Sequence, residues 1–600
     1  ARSEEVTDRI TDELLELENE SIWQVDEENR PEEKSKIVRP KPNMYIQYKI
    51  QGEYCQAQVL SRQPKRSGIN KDWVNVLVKD NEDPISVDWN KVESWSEVKE
   101  GPEKAVYLCN TENFSQEVVD AKEKELENMK ENNVYELEEY KGQATISSRW
   151  IITEKYKEGK KVVKTRLVAR GFEEDSDKLR TDSPTCSRIS FCLLIAVAAS
   201  KSWRLNSIDI SSAFLQGDKL DRALYLKPPR DVCKSNEVWK LNRCIYGLND
   251  APRAWYNRVK SEMVKLGAKV SIYDPALYIW HKENRLIGLL TTHVDDFAYC
   301  GTDEFHRSVI DRIKHSFKIS SEASSSFKYL GLNVIQNKDE ITVDQKEYIN
   351  SLNLVGIDRE ALKETPLSDE EKSKLKSVSG QISWVTGQTR PDIAFDCCQI
   401  ANAGKNASIG DLRYANKTIN KLKTQDVKIV TPAFKEIEKS DIVCFSDATH
   451  ASLRCGSSQG AHIIFLKENE KVIPIAWQSK KLQRVTKSPL ASETLVLSEG
   501  ADASHFVAAI FKEIFCLSHL PIVKCITDSK SLFELLRTTN VTKDLRLRVD
   551  IARLRQLLEN EIDVQWIEGS YQLADCLTKS GASSNLLLNV LQYASLNYLS

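Results

Sequence analysis

Two apolar runs in this chain meet at a pair of acids, in "GLLTTHVDDFAYCGT", residues 288–302. Both flanks are rich in strand-forming residues, so the segment predicts a largely buried β-hairpin with Asp295 and Asp296 at its tip. Aspartate suits a turn because it tolerates left-handed backbone and caps its own chain. Carboxylates projecting from a rigid turn are also what Mg²⁺ coordinates while keeping part of its water. A third carboxylate would decide between these readings, and Asp209 ends the apolar strand "RLNSID" 86 residues before Asp295. Two strands of one sheet that each end in Asp can bracket two Mg²⁺ ions about 3.5–4 Å apart, an arrangement that activates an attacking oxygen and stabilises a leaving one.

A second set of acids repeats the pattern near the end of the chain. Asp447 closes the strand "IVCFSD", Glu493 lies near the start of a helix in "LASETL", Asp528 closes "KCITD", and Asp575 sits in the helix-like "QLADCLTK". Singly, each reads as a helix cap or surface acid. Together, four acids at element ends form a second candidate two-metal site, suited to delivering a metal-activated water to a phosphodiester.

The 600 residues, 41% of them apolar, are enough for several cores. Residues 1–35 form an acidic leader with 13 Asp/Glu against 4 Lys/Arg, a charge of −9; the net charge of −3 therefore leaves +6 on the rest. A mildly basic body fits nucleic acid, and equally fits an ordinary mixed surface. The longest apolar run, "ISFCLLIAVAA", is too short to span a bilayer, and the first residues lack a signal-peptide pattern. The 14 cysteines show no CxxC or zinc spacing, as expected of reduced thiols in a soluble, intracellular protein.

Short alternating strands over residues 36–100 predict a small antiparallel barrel. Beyond it comes the hairpin "RWIITEKYKEGKKVVKTRLVARGF", with Glu158-Gly159 at its turn and seven Lys/Arg against two Asp/Glu between Ile152 and Arg170. That charge suits phosphate or a solvated ribbon. Mixed strands and helices through 335, a mostly helical stretch over 336–436, and a fresh strand-rich pattern over 437–600 complete an α+β multidomain chain.

At these residues the sequence resembles the reverse transcriptase and ribonuclease H portion of copia-type LTR retrotransposon polyproteins (Pseudoviridae). "KTRLVARGF" is similar to the family's fingers motif, "SIDISSAFLQGDKLDRALYLKPP" to the motif with the first catalytic Asp, and "HVDDFAYCGT" to the catalytic hairpin. "WKLNRCIYGLNDAPRAWY", "FKYLGLNV" and "GQISWVTGQTRPDIAF" match later segments, the second of them the primer grip. "FSDAT", "SKKLQRVTKSPLASETL", "ITDSKSL" and "QWIEGSYQLADCLTK" resemble the ribonuclease H blocks in order.

The resemblance implies a right-hand polymerase with fingers and palm over 101–335 and thumb or connection over 336–436. It further implies a ribonuclease H-like α/β domain over 437–600 and, over 36–100, an SH3-like β-barrel similar to an integrase tail. Asp209, Asp295 and Asp296 would hold the polymerase metals, and Asp447, Glu493, Asp528 and Asp575 the nuclease metals, two Mg²⁺ per site with Mn²⁺ as substitute. Lys164 and Arg166 would contact the incoming triphosphate, Phe214 the sugar 2′ position, and Tyr329 and Gly331 the primer. The implied partners are RNA template, DNA, RNA–DNA hybrid and dNTPs, with a tRNA-type primer, integrase, oligomerisation and cytoplasmic virus-like particles with later nuclear access as family expectations.

Three departures stand out. His293 replaces the Tyr or Phe of most reverse transcriptases, and Asp250 replaces a common Gln in "GLNDAP", where Arg253 is its expected partner. Between Asp528 and Asp575 no histidine stands where many ribonucleases H have one for product release. The chain lacks an integrase core, a protease motif and a zinc knuckle, so it is expected to be a polyprotein fragment. Two functions compete: an RNA-directed and DNA-directed DNA polymerase that degrades the RNA of its hybrid, and a domesticated nucleic-acid-binding or scaffold protein. Occupied ligand positions favour the first, since loss of an acid relieves repulsion and barely affects folding.

Overall fold

A computed structural model describes five short strands between residues 45 and 97, the strand Lys104–Tyr107, and residues 115–597 apart from 158–159, 176–178, 233–235, 358–359 and 541. The acidic leader and the Glu158-Gly159 turn lie outside these residues. The chain divides into two units: residues 1–125 with 150–166, and residues 126–149 with 167–600.

In the first unit, strands Tyr45–Ile50, Glu53–Arg62, Trp73–Val78, Ile85–Asp88 and Val92–Glu97 form one antiparallel sheet. Ile85–Asp88 and Val92–Glu97 are its edges, and no pairing closes it into a barrel among the described residues. Lys164 and Arg166 belong to this unit; both are exposed, on either side of buried Thr165, as a strand's two-residue period requires.

The second unit is built on a six-stranded sheet in the order Lys269–Val270, Leu277–Lys282, Arg285–His293, Asp296–Gly301, Asn206–Ile210, Ile319–Ser324, antiparallel throughout. Its side chains alternate between two cores. Leu277, Ile279, Ala298 and Cys300 share a core with helix Arg188–Ser200, while Tyr278, Trp280, Phe297 and Tyr299 share another with Trp255, Val259 and Met263 of helix Ala251–Lys265. Burial on both faces explains why these strands read as continuous apolar runs.

Four strands, Ser326–Tyr329, Leu332–Gln336, Glu340–Asp344 and Ile429–Pro432, make a small antiparallel sheet. Helices Asp369–Gln388, Ala394–Asn402 and Ile409–Thr424 lie between its last two strands and carry their own core. There Arg390 and Asp392 form a fully buried ion pair at 2.8 Å, and Arg390 Nη2 also donates to Gln425 Oε1 at 3.0 Å. A buried charge pair persists only when its remaining donors are satisfied in this way.

The last sheet runs Lys471–Lys481, Gln459–Glu468, Asp441–Thr449, Val523–Thr527, Ile562–Trp566, with the first three strands antiparallel and the last two parallel to Asp441–Thr449. Helix Pro489–Phe515 covers one face. Gly500 permits this approach, since a Cβ there would lie 2.9 Å from Cys444 Sγ. Ile442, Cys444, Ile464 and Leu466 belong to the same core as helix Arg188–Ser200, so one continuous core joins the two large sheets. No helix among the described residues is long and apolar enough to cross a membrane.

Candidate active sites

The hairpin tip has two unpaired residues, Val294 and Asp295, between the paired His293 and Asp296. Val294 adopts φ +55°, a left-handed conformation costly for a β-branched residue. Two hydrogen bonds hold it: Trp255 Nε1 donates to Val294 O at 2.7 Å, and Ile210 N donates to Asp295 O at 2.9 Å. The tip is therefore fixed to helix Ala251–Lys265 and to strand Asn206–Ile210 before any ligand binds.

Register places Asp209 directly opposite Asp296. Ser320 Oγ, from the strand on the other side, donates to Asp209 Oδ2. Burial, followed by the charges of Asp295 and Asp209, pushes the Asp296 carboxyl up to about 7. Three acids crowded at the end of a buried sheet thus call for positive charge. His293 is half-buried; burial holds its imidazole below the ordinary range while Asp295 pulls the other way.

Phe214 lies on the one-turn helix Ala213–Gln216 just beyond the Asp209 strand, half-buried and edge-on to Tyr246 with centroids 5.5 Å apart. Ser212, at φ +49°, precedes it, and Asn128 Nδ2 donates to Ser212 Oγ at 2.6 Å. Asp250 is paired, but not with Arg253. Arg222 donates to Asp250 Oδ2 at 2.6 Å and to Glu174 Oε1 at 2.6 Å, whereas Arg253 pairs with Asp182 at 2.7 Å.

Tyr329 also differs from its expected role as a primer contact. Leu330 and Gly331 both have positive φ and form a tight turn between Ser326–Tyr329 and Leu332–Gln336. Tyr329 is turned into the core at 1% exposure, its ring stacked on Phe191 with centroids 4.7 Å apart; Gly331 alone is exposed.

The second cluster assembles from the last sheet. Strands Asp441–Thr449 and Val523–Thr527 are parallel neighbours, Phe445 opposite Ile526, so Asp447 and Asp528 emerge side by side. Glu493 comes from the first turns of helix Pro489–Phe515, whose start is capped by Ser488. Asp447, Glu493 and Asp528 each place a carboxylate oxygen within 4.8 Å of the others. Burial, then Asp447 and Asp528, pushes Glu493 up to about 9; burial raises Asp447 to about 6, opposed by Lys579 and Thr578. Such a hard, crowded oxygen set fits a divalent cation.

Asp575 stands apart from that trio. It accepts from Lys579 Nζ at 2.5 Å, and the same ammonium lies 3.4 Å from Asp447 Oδ1. Thr578 Oγ1 donates to Asp447 Oδ2. Burial alone would lower Lys579, but Asp447 and Asp575 lift it to about 12. Sequence reasoning missed Lys579, Thr578, Trp255 and Arg222. Only Lys579 had a local signal, its four-residue spacing from Asp575.

Residues 132–366 match the family described as "Reverse transcriptase (RNA-dependent DNA polymerase)". That span contains Asp209, Asp295 and Asp296. Around it the chain is similar to retrotransposon polyproteins: 24% identical over 459 residues to the retrovirus-related Pol polyprotein from transposon RE1 of Arabidopsis thaliana, covering 72% of this chain and 30% of that one. The Pol polyprotein from transposon TNT 1-94 of Nicotiana tabacum is 26% identical over 553 residues, covering 84% and 38%. This chain therefore spans between about a quarter and two-fifths of the length of such relatives. Among solved structures, a foamy viral protease-reverse transcriptase in complex with dsDNA is similar at TM-score 0.45 and 14% identity, covering 76% of this chain and 84% of that one.

Proposed function

We propose that this chain is an RNA-directed and DNA-directed DNA polymerase with a ribonuclease H centre, part of a copia-type retrotransposon polyprotein that copies element RNA into DNA. The observation that carries the polymerase reading is Asp209 facing Asp296 across two paired strands, within the residues that match the reverse transcriptase family. The nuclease reading rests on the trio of Asp447 and Asp528, from neighbouring parallel strands, and Glu493, from the helix that covers the sheet.

Asp209, Asp295 and Asp296 would hold one pair of Mg²⁺ ions, and Asp447, Glu493, Asp528 and Asp575 the other, with Mn²⁺ as a substitute. Bound there, the ions supply charge neutralisation and an activated oxygen nucleophile at the reacting phosphate. The chain's own part is to fix the carboxylates: Trp255 and Ile210 hold the hairpin tip, Ser320 orients Asp209, and Thr578 orients Asp447. Phe214 would close the sugar pocket, with Lys164 and Arg166 as triphosphate contacts and Gly331 on the primer side.

The working partners are RNA, DNA, their hybrid and dNTPs, with a tRNA-type primer. The five-stranded sheet over residues 45–97 supports a folded module in front of the polymerase, proposed as an SH3-like, integrase-tail barrel. Domain limits at 101–335, 336–436 and 437–600, integrase association, oligomerisation and residence in cytoplasmic virus-like particles with later nuclear access complete the proposal. Extension of a DNA primer on an RNA template by the full chain tests it: Mg²⁺-dependent extension is expected, and no extension with either Mg²⁺ or Mn²⁺ overturns it.

A further inference from the structure

Three carboxylates converge on the nuclease centre, and among the described residues Lys579 links one of them, Asp447, to the fourth acid, Asp575. Its position is specific: the ammonium bridges Asp575 Oδ1 at 2.5 Å and Asp447 Oδ1 at 3.4 Å. These are the two acids that a second divalent ion would share, because Asp447, Glu493 and Asp528 already form a tight trio without Asp575. The other oxygen of Asp447 is taken by the Thr578 hydroxyl. Both Asp447 oxygens thus have a partner from the two adjacent residues Thr578 and Lys579, one a hydroxyl and one a charge.

We propose that Lys579 is a built-in counter-cation that occupies the second ion's place between Asp447 and Asp575, so that the centre binds one divalent ion readily and a second only by displacing this side chain. The inference rests on the nuclease reading of the four acids. Physically, the two acids cannot neutralise an ammonium and a divalent cation at one point: two cations about 4 Å apart repel strongly where water is partly excluded. The Lys579 side chain keeps 38% exposure, against 2% for Asp447, so the ammonium can swing to solvent while the acid stays. A lysine four residues after Asp575 therefore does two jobs, relieving repulsion in the metal-free protein and setting a threshold for the second ion.

Calorimetric titration of the full chain with Mn²⁺ tests this without any turnover, using an Asp295→Asn, Asp296→Asn background to silence the polymerase acids. In that background the centre is expected to show one tight and one weak ion. Lys579→Ala should tighten the weaker step by about tenfold and lower the melting temperature in EDTA, whereas Lys579→Arg, which keeps the charge, should resemble the parent. Lys579→Met provides the same test with the side-chain length retained, should the alanine variant melt too early to titrate. An unchanged second step in a folded Lys579→Ala or Lys579→Met protein overturns the proposal. Glu493→Gln separates the two layers of inference: if it too leaves the isotherm unchanged, the four acids are no metal centre and the nuclease reading itself falls.

Discussion

The indole N–H of Trp255 donates to the carbonyl of Val294 at 2.7 Å, tying the helix behind the sheet to the strained residue at the tip of the acidic hairpin. Trp255 is 2% exposed, so nothing but protein can satisfy its N–H. Trp255→Phe removes that donor and leaves a smaller ring, and so a cavity, in the core. It should cost about 2–3 kcal/mol of stability, from the lost bond and the cavity together, and lower single-turnover primer extension by about tenfold through a looser tip. RNA cleavage should be unaffected; extension at the parental rate would show that the bond does not position the acids.

Arg222 bridges Glu174 and Asp250, with side-chain exposures of 22%, 11% and 14%. Removing the arginine leaves two half-buried carboxylates facing each other, so Arg222→Met should destabilise by about 2–4 kcal/mol. Asp250→Asn in the same protein should recover part of that loss. Urea melts of the two single variants and the double variant give the coupling directly, and additive losses would contradict a functioning clamp.

His462 is buried beside helix Pro489–Phe515, and burial followed by the Lys480 charge lowers it to about 4 from an ordinary 6.5. The folded state therefore disfavours its protonated form. Its contribution is fully present above pH 6.5 and is lost as pH falls toward 4, where the unfolded chain binds the proton first. The stability difference between wild type and His462→Gln should shrink by about 3 kcal/mol between pH 7 and pH 4. A pH-independent difference would contradict the burial of a neutral imidazole.

Phe214 projects beside the Asp209 strand with Tyr246 against its edge. If it closes the sugar pocket, Phe214→Ala should raise ribonucleotide incorporation by one to two orders of magnitude, roughly the value of a steric contact worth 1–3 kcal/mol. Competition between dATP and ATP on one template measures it, and unchanged selection would leave Phe214 as packing for Tyr246.

The acids were legible in the sequence because each stands at the end of an apolar element, a position that both caps the strand and exposes the carboxylate. Asp209, Asp295 and Asp447 all read this way. The helix Arg188–Ser200 and the paired runs flanking Asp295 were equally plain, since burial on both sides leaves continuous apolar text. What failed was pairing across long separations. Arg222 lies 28 residues from Asp250 and 48 from Glu174, and nothing local distinguishes it from Arg253. Tyr329 failed for a different reason: a two-residue turn with both φ values positive decides which side of the hairpin is buried, and Leu330 gave no sign of adopting one.

On the proposed function, two separate sets of carboxylates carry two separate reactions. One tube decides it: a DNA primer on a labelled RNA template, with extension and RNA release followed together in Mg²⁺. Asp295→Asn should abolish extension and leave RNA release near the parental rate, and Glu493→Gln should do the reverse. Loss of both reactions in either folded variant, or survival of extension in Asp295→Asn, would contradict the account.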